Sequence, residues 1–254
     1  MSKEQYEEAI KSTRRFDEIQ VTPLRRQIFS TPIFCAKDLR EEGEEIRKKA
    51  IDLAYKTIEG QTESGLVSEG WNDATITGDK KKQNTMGVTS FFGQNLCNEK
   101  EWKFFNDYIA QLSYEVLAET IDPYLLEGLS LANSWVTVYP NGAFVPEHIH
   151  SMFEVSGVYY LQADGGDISF KDPYWVGKTM NIWGQGEKIF PHGAVTMDYE
   201  ANTGGIMLFP SWLPHRTKPN PSDKDRIIYS FNLSTSSAIR RLCQLKFEDN
   251  GMNR

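Results

Sequence analysis

Short β-rich runs without helices between them dominate the chain from Asp122 to about residue 234. They alternate with Gly, Pro, Asn and Asp, residues that favour turns. Parallel βαβ units need a helix between successive strands, so this pattern favours an antiparallel sandwich or barrel. The predicted strands are Ser134–Tyr139, Glu154–Leu161, Asp167–Phe170, Val195–Tyr199, Gly205–Phe209 and Arg226–Leu233.

Two amphipathic helices are predicted before this region, at roughly Asp38 to Ile58 and Glu99 to Thr120. Asp38 with Glu41, and Asn98 with Glu101, have the spacing of capping pairs. Both helices carry apolar residues at three- and four-residue steps, which is typical of a face packed on a sheet. These residues are Ile46, Ala50, Leu53 and Ala54 in the first helix and Trp102, Phe105, Ile109, Leu112 and Val116 in the second.

The 254 residues are expected to form a single domain of mainly β structure with flanking helices, an α+β class. A helical N-terminal portion over residues 1–130 is predicted to pack on a β core over residues 131–235. The apolar stretch Thr22 to Phe34 contains two prolines and predicts extended chain or an edge strand. The polar stretch Gln61 to Asn84 is interpreted as a surface loop or a lid.

Composition excludes several classes of protein. A net charge of −7 argues against general binding to nucleic acid, which needs a basic surface. Cys35, Cys97 and Cys243 are far apart and form no CxxC pair, which argues against a disulfide framework or zinc ribbon and favours a reducing, cytoplasmic setting. No apolar run approaches the ~20 residues of a membrane span, and the charged N-terminus lacks the apolar segment of a signal peptide.

Three of the four histidines have a spacing that indicates a metal site. His148 and His150 are two residues apart, so in extended chain both imidazoles point to the same face. His215 follows a later apolar strand and enters a Pro-rich turn. Imidazole binds iron, zinc, copper and nickel, so the histidines alone leave the metal open. His192, between Pro191 and Gly193, is interpreted as a loop residue.

Arg226 opens an otherwise apolar strand, where a guanidinium needs an anionic partner or a route to solvent. The planar fork of arginine matches a carboxylate at two points. We interpret Arg226 as a clamp for a carboxylate, with Ser230 on the same strand face as an assisting group. An arginine that extends outward to solvent is the alternative.

At these residues the sequence resembles the iron(II)- and 2-oxoglutarate (2OG)-dependent oxygenases. The resemblance covers about Asn133 to Ser234, with a fainter match around Ser68-Glu69-Gly70-Trp71. The blocks that carry it are His148-Ile149-His150 followed by Ser156-Gly157-Val158-Tyr159-Tyr160-Leu161, then Leu208-Phe209-Pro210-Ser211-Trp212-Leu213-Pro214-His215-Arg216-Thr217, then Arg226 and Phe231-Asn232.

The resemblance implies a double-stranded β-helix (a jelly-roll or cupin-like core) with the N-terminal helices packed on it. It also implies iron(II) bound by His148, His150 and His215, 2OG held at its distal carboxylate by Arg226, and O2 as the second cosubstrate. The segment beginning at Tyr139 is similar to prolyl-hydroxylase-type members, which implies that Tyr139 and Tyr160 contact 2OG. One departure is that the common superfamily motif has Asp or Glu where this chain has His150.

Two other functions remain open from the sequence. A cupin-type dioxygenase or isomerase would use His148, His150, Glu154 and His215 as metal ligands without 2OG. A non-catalytic metal- or ligand-binding β-barrel would keep the fold and lack turnover. The substrate expected for an oxygenase is a small molecule or a peptide, with no membrane partner and with a homodimer as the expected assembly.

Overall fold

The computed structural model describes residues 31–63, 87–91, 93–175 and 195–235. Contacts divide the chain into Met1–Thr31 and Pro32–Arg254, and the elements below all belong to the second unit. The predictions for residues 22–30 and 64–84, for His192 and for Cys243 lie outside the described residues.

The described strands form two antiparallel sheets. Their bounds are β1 (Phe34–Lys37), β2 (Val88–Thr89), β3 (Leu129–Tyr139), β4 (Val155–Gln162), β5 (Ile168–Lys171), β6 (Thr196–Tyr199), β7 (Gly205–Pro210), β8 (His215–Thr217) and β9 (Arg226–Thr235). The major sheet has the order β1-β7-β4-β9-β3-β2, and the minor sheet has the order β6-β5-β8. An isolated antiparallel bridge joins His148 to His215 and so extends the minor sheet beyond β8.

All six predicted strands are present, and the prediction of a mainly β fold with flanking helices, a double-stranded β-helix, is confirmed. The structure differs at β3, which begins five residues before the predicted Ser134. It also contains β1, β2 and β8, which have four, two and three residues and were not predicted as separate strands. Strands this short are set by the partner that they pair with, because two to four residues carry little alternation of their own.

The helices are α1 (Glu41–Glu63) and α2 (Lys103–Ala118). Short 3₁₀ turns, Leu96–Asn98 and Lys100–Trp102, precede α2. The predicted pairing of Asn98 with Glu101 is wrong, because the N-cap of α2 is Trp102, which makes no side-chain capping bond. Asn95 caps the preceding turn Leu96–Asn98, where its Oδ1 accepts from the Cys97 N–H at 3.1 Å. Neither described helix is long and apolar enough to cross a membrane.

The predicted capping box of α1 is wrong as well, because the helix begins three residues after Asp38. The Asp38 carboxylate accepts from the backbone N–H of Arg40 at 3.2 Å and from its Nε at 2.9 Å. At the other end α1 continues to Glu63, so the first three residues of the predicted loop at Gln61 are helical.

Each face of the major sheet covers a different core. On β9, Ile227, Tyr229, Phe231 and Leu233 pack with the buried faces of α1 and α2, as the helix periodicity predicted. Phe105 of α2 lies edge-on to Tyr229 with ring centroids 4.8 Å apart. The residues between them on β9 face the minor sheet, because successive side chains of a strand alternate in direction. The strand is therefore buried on both faces, and its inward positions are free to form a site.

Candidate metal centre

Three histidine side chains meet between the two sheets. The bridge to β8 holds the backbone of His148 against His215, with N–H to carbonyl distances of 2.9 and 3.0 Å. The His150 N–H donates to the Ser211 carbonyl at 2.9 Å, which brings this residue to the loop between β7 and β8. One nitrogen of each imidazole lies within 4.8 Å of the others, a grouping that could hold a metal ion. The structure thus brings together the three residues that the sequence singled out.

Hydrogen bonds to Nδ1 define the tautomer of each ring. The Nδ1 atoms of His148 and His215 lie 2.9 Å from the carbonyl oxygens of Pro146 and Leu213. A carbonyl can only accept, so both Nδ1 atoms carry the proton. Each Nε2 then keeps its lone pair, which is the arrangement that metal-binding histidines have when their other nitrogen donates to an outer partner.

His150 is held by a buried network of neutral polar side chains. Its Nδ1 lies 2.7 Å from Oδ1 of Asn232 and 2.8 Å from the Ser156 hydroxyl. Nδ2 of Asn232 donates to Oδ1 of Asn133 at 2.7 Å, which orients the amide with its oxygen toward His150. The Ser156 hydroxyl also lies 2.8 Å from that of Ser211. His150 therefore donates through Nδ1, and its Nε2 keeps its lone pair, as do the Nε2 atoms of His148 and His215.

Burial keeps the three imidazoles neutral. It lowers the pKa of His150 to about 4 and that of His215 to about 3, with repulsion from the nearby His148 as a further cause for both. Burial also lowers the pKa of His148. At neutral pH all three rings are uncharged, which is the protonation state that a metal ligand requires.

The set of ligands contains no carboxylate among the described residues. Glu154, the fourth ligand that a cupin-type site would use, lies elsewhere: its oxygens accept from the hydroxyls of Ser234 and Thr235 at 2.6 and 2.9 Å. The alternative that includes Glu154 as a ligand is therefore wrong for this arrangement. Three neutral imidazoles fit a divalent ion and leave further coordination positions for other ligands.

Arg226 is 1% exposed, so the alternative of a side chain that extends to solvent is wrong. Its Nη1 donates to the carbonyls of Gly166 and Lys218, the latter at 3.0 Å, and its Nη2 donates to the Thr217 hydroxyl at 3.2 Å. The Tyr139 ring lies 4.4 Å from Cζ, within the range of a cation–π contact. Burial lowers the pKa of Arg226, because the charged form is desolvated.

The Nε of Arg226 is buried and has no hydrogen-bond partner among the residues that the structure describes. The partners of the two Nη atoms are carbonyls and a hydroxyl, none of which carries a full negative charge. A buried guanidinium with an unsatisfied donor is costly unless an anion completes it. Thr217 is two residues from His215, about 7 Å along an extended strand. This separation suits a short dicarboxylate that reaches from the histidines to the guanidinium.

A cavity of about 530 Å³ connects the histidines with Arg226. Tyr139, Tyr160 and Ser230 line it, on the same face of the major sheet as Arg226. Ser230 is four residues from Arg226, and the hydroxyl that contacts the guanidinium belongs to Thr217 instead. Burial raises the pKa of Tyr139 and of Tyr160, so both phenols are neutral.

Several residues of the site were not assigned a role from sequence: Asn232, Asn133, Ser156 and Thr217. A signal was present for Asn232, which lies six residues after Arg226 on one strand and so shares its face. A polar amide at an inward position of an apolar strand needs a partner. Ser156 and Thr217 stand inside the sequence blocks described above, but only the pairing of the strands places them beside His150 and Arg226.

Residues 133–232 match a protein family described as "Putative 2OG-Fe(II) oxygenase". No curated protein matches the chain. Among solved structures, AviO1 from Streptomyces viridochromogenes Tue57 is 16% identical with a TM-score of 0.50, covering 80% of this chain and 90% of that one. The chain thus shares its fold with AviO1.

Two further solved structures are similar at lower TM-scores. A Pseudomonas putida prolyl-4-hydroxylase is 16% identical with a TM-score of 0.47, covering 80% of this chain and 93% of that one. A Trichoplax adhaerens prolyl hydroxylase is 13% identical, also at 0.47, covering 81% and 84%. The residues that match the family model, 133–232, contain His148, His150 and His215, the cluster that could hold a metal ion.

Proposed function

We propose that this chain is a 2OG-dependent hydroxylase in which Nε2 of His148, His150 and His215 bind iron(II) and Arg226 binds the distal carboxylate of 2OG. The single observation that carries the proposal is the buried Arg226 with its unpartnered Nε, in the same cavity as three histidines with free Nε2 atoms. The described lining of this cavity contains one permanent positive charge, on Arg226, and no carboxylate, so it suits an anion that reaches from Arg226 to a metal bound at the histidines.

Iron(II) with 2OG and O2 supplies an oxidant able to remove hydrogen from an unactivated C–H bond, while 2OG is converted to succinate and carbon dioxide. The protein binds and orients these reactants. Asn232 and Ser156 hold the His150 ring, while Thr217 and Tyr139 hold the Arg226 guanidinium. Tyr160 and Ser230 line the space between the two ends.

The neutral ligand set has a consequence for charge. A common iron(II) site contains two histidines and one carboxylate, which offsets one unit of the metal's charge. Here the three imidazoles and Asn232 are all neutral, so the metal and Arg226 together carry three positive charges. The dianionic 2OG is the main compensating group, and we expect its binding to depend strongly on the metal.

We place the catalytic core in residues 131–235 and propose that the protein is cytoplasmic, as expected from its cysteines. Cys35 and Cys97 are both free thiols. The primary substrate binds in the part of the cavity that 2OG does not fill.

The decisive experiment is a titration of 2OG into the iron(II)-loaded protein under argon, followed by the metal-to-ligand charge-transfer band. We expect saturable binding. Arg226→Ala should weaken it about 10–100-fold, the effect of losing one charge-assisted hydrogen-bonded contact. The matched control is Arg47→Ala, since Arg47 in α1 donates to the Leu161 carbonyl at 3.0 Å and does not line the cavity. A folded, iron-loaded protein that shows no 2OG band would contradict the proposal.

A further inference from the structure

The cavity continues beyond the space between Arg226 and the histidines. On β3, Tyr139 lies opposite Arg226, and Trp135 lies opposite Ser230. Four residues along a strand span about 13 Å, so Trp135 marks a region well separated from the guanidinium. The Trp135 ring is 5.4 Å from the His150 ring. Given the proposed function, 2OG occupies the Arg226 end and the primary substrate enters past Trp135.

Apolar side chains form the walls of this entrance. Phe91 lies edge-on to Trp135, with ring centroids 4.9 Å apart. Ile149, Met152 and Phe153 line the cavity beside the histidine segment. Phe91, Ile149 and Met152 are 48%, 50% and 62% exposed. Several exposed large apolar side chains around one opening are typical of a binding site. We call Phe91, Trp135, Ile149, Met152 and Phe153 the entrance residues.

Met152 adopts a backbone conformation that a side chain of this kind rarely takes. Its φ is 80°, and no other non-glycine residue in the described part of the chain has a positive φ. Such strain is found most often at binding and catalytic sites, where the surrounding structure enforces it. At Met152 the strained turn directs a flexible, polarisable thioether to the mouth of the cavity, two residues after a proposed metal ligand.

Charge is nearly absent from the described lining of the cavity. Of the described residues that line the cavity, Arg226 alone carries a permanent charge, and it lies at the far end. Two polar side chains of the lining already have partners: Asn133 accepts from Asn232, and Thr89 accepts from Thr137 at 2.9 Å. An ammonium, carboxylate or phosphate placed here would be desolvated without a partner.

We propose that the primary substrate presents an uncharged, apolar group, aromatic or aliphatic, to the metal through the entrance residues. This inference rests on the proposed function, because it assigns the Arg226 end to 2OG. It excludes free amino acids and phosphorylated metabolites as substrates that enter with their charged groups first. An uncharged apolar group of this kind can come from two sources, namely an apolar side chain of a peptide or a neutral hydrophobic small molecule.

The test measures binding of matched probes by equilibrium dialysis against the full-length, iron(II)-loaded protein under argon, with saturating 2OG present so that the Arg226 end is not open to the carboxylate probes. N-acetyl-L-phenylalanine methylamide and L-phenylalanine share a ring and differ in charge, as do indole and indole-3-acetate. We expect each neutral probe to bind about tenfold or more tightly than its charged counterpart, which corresponds to about 1.4 kcal/mol. The blocked amino acid will bind more tightly than indole if the source is a peptide, and less tightly if it is a small molecule.

Two variants locate the binding. Met152→Glu adds a charge at the entrance, and Leu125→Glu makes the same kind of change at an exposed apolar residue, 59% exposed, in the turn Pro123–Leu126. Met152→Glu should weaken neutral-probe binding about fivefold or more, and Leu125→Glu should leave it unchanged. Phe91→Ala, which removes a half-exposed ring, should also weaken it.

The charge-transfer titration of 2OG runs in parallel and keeps the two proposals separate. Charged probes that bind as tightly as neutral ones, or normal neutral-probe binding in both Met152→Glu and Phe91→Ala, overturn the present inference while 2OG binding stands. Loss of the 2OG band alongside a preserved preference for neutral probes overturns the proposed function alone.

Discussion

The Nδ1 atom of His150 lies 2.7 Å from Oδ1 of Asn232, a partly buried contact between two neutral side chains at the place where the metal is proposed to bind. Outer partners of metal-bound histidines are often carboxylates, which raise the basicity of the ring. Asn232 fixes the orientation of His150 without adding charge. The whole site is thus built from neutral groups, apart from Arg226.

Replacement of Asn232 should separate orientation from charge. Asn232→Leu leaves the His150 Nδ1 with Ser156 alone and should weaken iron(II) binding about 10–100-fold. Asn232→Asp keeps an acceptor and should bind iron(II) at least as tightly as the unmodified protein. Affinity is measured by competition with a chromophoric chelator under argon. The control is Asn106→Leu in α2, which removes a buried amide that donates to Leu96 at 2.8 Å. Equal iron affinity for Asn232→Leu and the unmodified protein would show that Asn232 does not position His150.

A methyl group at Gly166 should disturb the 2OG clamp. Gly166 has a φ of 79°, and a Cβ there would overlap Nη1 of Arg226; Gly128 has a φ of 78° and open space around it. Gly166→Ala and Gly128→Ala therefore carry the same backbone strain, but only the first displaces the guanidinium. We expect Gly166→Ala to weaken 2OG binding about tenfold or more and Gly128→Ala to bind 2OG normally. Identical 2OG titrations for the two variants would contradict this role of Gly166.

The free energy of unfolding of the metal-free protein should decrease as the pH is lowered. The pKa of His150 is about 4 and that of His215 about 3, both below the usual 6.5 because the rings are buried. The unfolded chain therefore binds more protons than the folded chain once the pH drops below 6.5. Their contribution is fully present above that value and is lost as the pH falls through the folded pKa values, by up to about 1.4 kcal/mol per pH unit for each residue.

Urea unfolding in chelator between pH 7.5 and 4.5 measures this dependence. His215→Asn lacks one of the buried imidazoles and should show a shallower loss of unfolding free energy toward acid pH. A pH profile as steep as that of the unmodified protein would argue that other groups cause the loss.

Packing between β4 and β9 leaves no room at Gly157. Gly157 pairs with Phe231, a fully buried residue, and a Cβ at position 157 would collide with its ring. Gly157→Ala should lower the free energy of unfolding by about 1–3 kcal/mol, as overpacked cores do, with an unchanged urea m-value. Adding Phe231→Leu should recover part of the loss. A Gly157→Ala protein as stable as the original would mean that the ring moves aside without cost.

Much of the fold was predictable from local patterns. The six predicted strands were found because each segment is rich in β-branched and aromatic residues and is bounded by turn residues. Arg226 and Ser230 share a face because side chains four residues apart on a strand point the same way. The spacing of His148 and His150 likewise predicted that both rings point one way. The capping pairs failed because a side chain chosen by spacing competes with nearer partners, as Asp38 does with Arg40.

Other parts of the site depended on strand pairing. Asn232 reaches His150 across a separation of 82 residues, and Thr217 reaches Arg226 only because β8 and β9 are brought together in the fold. Phe91, which lies on a segment with almost no strand character of its own, meets Trp135 through the pairing of β2 with β3. No periodicity within a segment specifies such contacts.

The sequence by itself determined the antiparallel β class, the shared face of His148 and His150, the shared face of Arg226 and Ser230, and the choice of the three histidines and Arg226 as site residues. The tertiary structure alone decided that the three Nε2 atoms are free together, that Glu154 turns to Ser234 and Thr235, and that Arg226 is buried with one donor unpaired. The physical reason is that alternation sets the direction of a side chain within its own strand, whereas convergence on one point requires the register between strands that are distant in the chain.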